Sequence, residues 1–200
     1  MLILRRWHLQ CIESESRGSK SLNSKSVLCP NMKNLIASHT HNIYLKPGEV
    51  IISRTPVLVS TVLGSCVAVT MFSASRGFGA ICHAMLPENL GRENDLRYVD
   101  TALQHIYNKL VAFGIGSDLE IKLFGGAQVL NVGDRLPERN TVGDQNIAQA
   151  EAVLASLGLS ISVRDTGGQQ GRKLFFSTRS GDVYKRRMRH NKQDPGDNNT

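Results

Sequence analysis

The 200-residue chain reads as α/β: a single layered α/β domain with mixed β-sheets and two main amphipathic helices. Three observations lead there. Residues 57–63, 66–72 and 78–86 are β-branched and apolar runs of strand length, the last two parted by the turn-tolerant Ser73-Ala74-Ser75-Arg76-Gly77. Residues 96–113 and 143–157 instead repeat their apolar positions at three- and four-residue steps, the period of a helix with one buried stripe. Finally, the 66–86 hairpin is apolar on both faces, which suits strands covered on each side by another layer.

Taken in order, residues 1–41 are rich in Ser, Asn and Lys without a period and predict a disordered extension. Met32 opens MKNLIASHTHNIYLKPGEV and is an alternative start to Met1, a choice the sequence leaves open. His39 and His41 alternate as a metal pair would, but no third ligand is near, and a solvated segment is the expectation. The domain proper spans 42–187. It opens with a strand at 43–45, a Pro47-Gly48 turn, a strand at 49–52 and the run 57–63. After the hairpin, residues 87–95 form a polar loop at its exit. The 96–113 helix carries Val99, Ala102, Leu103, Ile106, Leu110 and Phe113 on its stripe, with His105 off it and Gly114 as the stop. A strand at 119–124 runs into Gly125-Gly126-Ala127. No GxGxxG or GxxxxGK[ST] accompanies these glycines, so they are read as a close backbone passage. Residues 129–141 are irregular and polar. The 143–157 helix uses Ile147, Ala150, Val153, Leu154 and Leu157 and stops at Gly158. A strand at 159–164, the turn Asp165-Thr166-Gly167-Gly168 and a closing hairpin at 173–178 and 182–187 follow, and 188–200 reads as a disordered tail.

The net charge of +7 suggests nucleic acid at first sight. Its distribution argues otherwise: residues 1–40 hold six Lys or Arg against Glu13 and Glu15, and Lys185-Arg186-Arg187 supplies most of the rest. No RNP-like aromatic pattern or zinc finger accompanies it, so no nucleic-acid partner is expected. The longest apolar run falls short of the roughly 18 residues of a membrane span, so no membrane insertion is expected. The start is not a secretory signal, its apolar run being short and closed at once by arginines. Cys11, Cys29, Cys66 and Cys82 show no CxxC and no metal-site spacing, which suits a cytoplasmic protein with free thiols, no structural metal and no cofactor.

The candidate site lies in residues 60–87, whose one charged residue is Arg76. A turn centred between Ala74 and Ser75 would set Cys66 directly opposite His83, on one face and with Cβ atoms about 4.5–5.5 Å apart. A slip by one residue would put the two on opposite faces. Such a pair can hold the cysteine as a thiolate beside an imidazolium, and the same histidine can return the proton to a leaving amine. Gly64 and Ser65 offer backbone N–H groups as an oxyanion site, and the hydroxyl of Ser60 or of Thr61 could orient the imidazole. Cys82 falls on the opposite face from His83 and is read as inert packing.

LGSCVAV followed at this spacing by HAMLP resembles the CheD family, the chemoreceptor glutamine deamidases of bacterial chemotaxis. The likeness covers about residues 42–187 and continues through FGGA at 124–127, VGDQN at 142–146 and DTGG at 165–168. Gln145 departs from it, the family having a basic residue there. The resemblance matches the family's nucleophile to Cys66 and its histidine to His83; the family's threonine aligns without gaps on Ser60, with Thr61 adjacent. It implies a fold similar to toxin-type cysteine deamidase domains and hydrolysis of receptor glutamine side chains to glutamate with release of ammonia. The partners it implies are methyl-accepting chemotaxis receptors and a CheC-type phosphatase. The rival readings are a non-catalytic chemotaxis adaptor, an RNA-associated basic protein, and a thiol protease or transglutaminase-type enzyme sharing the same site chemistry.

Overall fold

The computed structural model describes residues 9–11, 32–37, 39–91, 94–115, 118–129 and 141–188. In chain order the elements are β1 (Leu9–Cys11), α1 (Met32–Ala37), β2 (His41–Tyr44), β3 (Val50–Ser53), β4 (Val57–Leu63), β5 (Val67–Ser73) and β6 (Phe78–Ala84). Then come α2 (Val99–Ala112), β7 (Leu119–Gly125), α3 (Val142–Ser156), β8 (Ile161–Thr166), β9 (Arg172–Ser177) and β10 (Val183–Arg187). They build two five-stranded sheets, one ordered β1-β10-β9-β4-β2 and the other β3-β6-β5-β7-β8. Each sheet mixes parallel and antiparallel pairs: β2–β4 and β7–β8 run parallel, β5–β6 and β4–β9 antiparallel. This is the expected α/β architecture.

Side-chain alternation sorts the layers. Val67, Val69 and Met71 of β5, with Phe78, Ala80 and Cys82 of β6, pack under Ala102, Leu103, Ile106 and Leu110 of α2 and Ala150 and Leu154 of α3. The opposite face of the same sheet, with Ala68, Ile81 and Phe124, meets Val57, Val59 and Leu63 of β4 and Leu174 and Phe176 of β9. The hairpin strands are therefore buried on both faces, as their unbroken apolar character predicts.

Several boundaries differ from the expectation for local reasons. Helix α2 begins at Val99, because Tyr98 is extended (ψ 138°) and the carbonyl of Arg97 accepts from the N–H groups of Met85 and Leu86. Val99, Ala102, Leu103, Ile106 and Leu110 of its stripe are buried as expected and His105 is exposed; Phe113, expected on the stripe, is 48% exposed at the C-cap, tilted against the ring of Phe78. Strand β8 extends to Thr166, so the turn after it consists of Gly167 and Gly168, both at positive φ. Within 1–41, where the polar composition predicts disorder, the structure describes β1, paired in parallel with β10, and α1. Leu35 of α1 packs on Leu58, Phe175 and Tyr184, covering the outer face of the β4–β9–β10 sheet. Expectations for 12–31, 130–140 and 189–200 lie outside the described residues. Among the described residues no helix is long and apolar enough to cross a membrane.

Candidate active site

The β5–β6 hairpin forms, but its register is displaced by two from the expected one. Ser73 pairs with Phe78 and Ala68 with His83, so Cys66 and His83 are not directly opposed. The turn spans Ala74 to Gly77 and closes at Gly77 in the left-handed region, φ +57°. The carboxylate of Asp118 accepts from the Ser73 hydroxyl and the Ser75 N–H, fixing this longer turn. A shift by two keeps the parity of every position. Cys66, one residue before β5, still belongs to the face of Ala68 and His83, diagonally across the ladder. That face looks into the seam between the two sheets, where Cys66 packs against the apolar cluster containing Leu63, Ala68 and Phe124.

His83 is buried, with only 1% of its surface exposed. Its backbone accepts from Gly48 N–H and donates to the carbonyl of Glu49. The ring Nδ1 lies 2.8 Å from the hydroxyl oxygen of Thr61, on the facing sheet. That hydroxyl donates its own proton to the carbonyl of Leu45 at 2.9 Å. Its lone pairs therefore face the ring, so Nδ1 carries the proton and Nε2 the bare lone pair. Nε2 is buried and has no hydrogen-bond partner among the described residues. Burial pushes the His83 pKa below its ordinary value of 6.5, against the smaller opposing effects of the Leu45 carbonyl and the Glu49 charge.

Of the two hydroxyls proposed to orient the imidazole, Thr61 is the one in contact. In β4, Val57, Val59, Thr61 and Leu63 face the seam, and Ser60 falls with Leu58 on the face toward α1. The gap-free match to Ser60 thus lands one residue away from the side chain that touches the ring.

Cys66 is half-buried and its thiol is free. Burial raises its pKa above the ordinary 9.0, only partly offset by its own backbone N–H against the sulfur. Both members of the pair are thus pushed toward their neutral forms. Taken separately, the two shifts favour thiol and imidazole over a thiolate–imidazolium pair. Around the sulfur the carbonyls are taken: Gly64 accepts from Ala127 N–H, Cys66 from Gly126 N–H, and Ser65 from the side-chain amide of Asn146. The N–H groups of Gly64 and Ser65 donate to no backbone carbonyl among the described residues. Gly125, at φ +110°, passes so close that a Cβ there would overlap the Cys66 carbonyl.

Cys82 is buried under the helices, its pKa pushed up to about 11 by burial. His39 does not pair with His41: its Nδ1 meets the Leu35 carbonyl at 3.1 Å and its Nε2 the Ser177 hydroxyl at 2.8 Å. His41 is exposed at the start of β2.

Two parts of the surroundings escape a reading of motifs. Asn146, fully buried on α3, donates to the carbonyls of Ser65 (3.0 Å) and Met85 (2.9 Å). The signal was an amide four residues before Ala150 and beside Ile147, on the side of the helix that carries its apolar stripe. Arg172, also buried, donates to the carbonyls of Gly125, Asp165 and Gly167 and pairs with the Asp165 carboxylate, which Lys185 also contacts. This cluster pins the glycine turn after β8 to the segment behind Cys66. Arg172 and Lys185 look like ordinary surface cations in a strand, so nothing local announced it.

A family model described as CheD chemotactic sensory transduction matches residues 85–187. The chain is 42% identical over 154 residues to "Probable chemoreceptor glutamine deamidase CheD 2" of Geobacter sulfurreducens, covering 76% of this chain and 94% of that protein. It is 39% identical to "Probable chemoreceptor glutamine deamidase CheD" of Maridesulfovibrio salexigens, again over 76% of this chain and 94% of the relative. The like-named protein of Methanococcus maripaludis is 32% identical over 72% of this chain and 93% of its own length. A span of 76% of the chain cannot leave out the segment from Ser60 to His83.

Proposed function

The chain belongs to the CheD family, and on that premise we propose that it is a protein-glutamine deamidase. It hydrolyses glutamine side chains of chemotaxis receptors to glutamate and releases ammonia. The observation that carries this reading is the state of His83. Its Nδ1 is fixed by Thr61 and Leu45, and its Nε2, on the face of Cys66, has no hydrogen-bond partner among the described residues.

The reaction follows from that arrangement. His83 Nε2 takes the Cys66 thiol proton as sulfur attacks the carboxamide carbon, so charge is separated during attack rather than stored beforehand. The N–H groups of Gly64 and Ser65, which donate to no backbone carbonyl among the described residues, are suited to hold the developing oxyanion. The imidazolium, its Nδ1–H still held by Thr61, returns the proton to the departing amine. Ammonia leaves and a thioester remains on Cys66. The neutral imidazole then draws a proton from water, hydroxide adds to the thioester, and glutamate departs as the thiol recovers its proton. No step requires a metal or organic cofactor.

The test is mass spectrometry of a chemoreceptor cytoplasmic fragment incubated with the wild-type protein and with Cys66→Ala. Glutamine-to-glutamate conversion by the wild type alone is the expected result. Backbone cleavage would mark a thiol protease, and no change with either protein would mark a non-catalytic adaptor; both overturn the proposal. A CheC-type phosphatase as partner belongs to the same proposal, on the strength of the family resemblance. Co-purification of the two proteins from a host that encodes both checks it, and their separate elution counts against it.

A further inference from the structure

We propose that Asn146 is the positioning residue that sets the approach of Cys66 to His83. The inference rests on reading those two as the reacting pair.

The β5–β6 ladder ends at Val67 and Ala84, one residue short of both the cysteine and its register partner Met85. Beyond that point the two chains are drawn apart. The Cys66 carbonyl turns to Gly126 N–H, toward β7, and the Met85 N–H turns to the carbonyl of Arg97, toward α2. No backbone hydrogen bond joins 64–66 to 85–87 among the described residues. The Asn146 amide supplies the missing tie, one N–H to the Ser65 carbonyl and the other to the Met85 carbonyl.

The residue type is dictated by this task. Two carbonyls close together need two neutral donors on a short stem, which a carboxylate or a hydroxyl cannot supply. The partners also fix which way the amide faces. The consequence is that Oδ1 is buried with no donor of its own among the described residues. A buried acceptor without a donor is an exception that calls for an explanation beyond packing, and the tie between the two segments supplies one. The platform is rigid. Helix α3 starts with a reciprocal capping box between Thr141 and Asp144, and Gly143 lies flat against the Gly126 backbone, where a Cβ would not fit.

The experiment compares wild type, Asn146→Asp and Asn146→Ala, with His83→Gln as the reference for an unassisted thiol. Three quantities are read: kcat and KM for receptor glutamine, the pH dependence of iodoacetamide alkylation of the Cys66-containing peptide, and the thermal unfolding midpoint. Misplacement of reacting groups by about 1 Å costs on the order of 100-fold. The expected result is a kcat lower by about that factor, a KM little changed, and an alkylation profile that moves to that of His83→Gln. Variants that keep the wild-type kcat and profile overturn the inference. So do variants whose activity falls only with the unfolded fraction while the profile stays wild type. If the profile moves but even the wild type converts no glutamine, positioning stands and the substrate reading fails.

Discussion

Thr61 and His83 belong to different sheets, yet the hydroxyl oxygen of one lies 2.8 Å from Nδ1 of the other. The candidate site is therefore a property of the seam between sheets: β6 supplies the imidazole, and β4, from the facing layer, supplies the hydroxyl that contacts it.

Removing that group should be costly in a specific way. Thr61→Val keeps the volume but leaves the Nδ1–H without its acceptor and the Leu45 carbonyl without its donor. General acid–base assistance is worth about 100-fold or more, so kcat should fall by a factor of that order, with a stability loss of about 1–3 kcal/mol from the unpaired groups. Thr61→Ser should retain most activity. Ser60→Ala should remain near wild type, its side chain lying on the α1 face. Steady-state ammonia release from the four proteins reads the contrast, and a large loss in Ser60→Ala with none in Thr61→Val would reverse the assignment.

The pH profile carries a sign. Burial lowers the His83 pKa below 6.5, so the base stays neutral at neutral pH, and the acid limb of kcat/KM should have its midpoint below 6.5. For stability, the unfolded chain binds the proton first as pH falls through 6.5, so the contribution of neutral His83 is complete above that value and is lost below it. Cys66 acts oppositely: its raised pKa makes the folded thiol hold its proton above pH 9.0, and stability falls as pH rises from there. Kinetics and urea unfolding between pH 5 and 10, with His83→Gln as control, check both directions. A midpoint above 6.5 would argue for a resting imidazolium.

The hairpin shows what a sequence can and cannot specify. Alternation fixes the face of a residue, so Cys66 and His83 are legible as sharing one, with Cys82 opposite. Register is set by the turn, and here Asp118, distant in sequence, selects a turn longer than local composition suggests. The choice between Ser60 and Thr61 was likewise closed to sequence: it depends on which face of β4 meets the second sheet. Ordered structure within 1–41 arises because a sheet face is available for Leu35 to cover, a fact of the tertiary fold alone. The directions of the Cys66 and His83 pKa shifts follow from depth of burial in the seam, which the local sequence does not state.

Gly125 and Gly77 make a matched pair of tests. Both have positive φ, but a Cβ at Gly125 would overlap the Cys66 carbonyl, whereas one at Gly77 meets nothing within 4 Å. Gly77→Ala should cost only the backbone strain, about 1–3 kcal/mol, with activity kept. Gly125→Ala must also push the Cys66 segment aside and break its bond from Gly126 N–H. Its deamidation rate should fall far more than its thermal midpoint predicts. Equal effects of the two substitutions would remove Gly125 from the architecture of the site.

The cluster behind the cysteine makes the last prediction an asymmetric one. Asp165 is the anion in the seam that faces both Arg172 and Lys185, whose side chains are each about 6% exposed. Asp165→Asn leaves two buried cations without their counter-charge among the described residues, and breaking a buried pair costs about 3–5 kcal/mol. Lys185→Met leaves Arg172 and Asp165 still paired and should cost much less. Adding Lys185→Met to Asp165→Asn removes one stranded cation, so the double variant should be more stable than Asp165→Asn alone. A double-mutant cycle by urea unfolding measures this, and strict additivity would show that the two charges do not act on each other. The stability loss should also reach the active site, because Arg172 holds the carbonyl of Gly125 at 3.1 Å, directly behind Cys66.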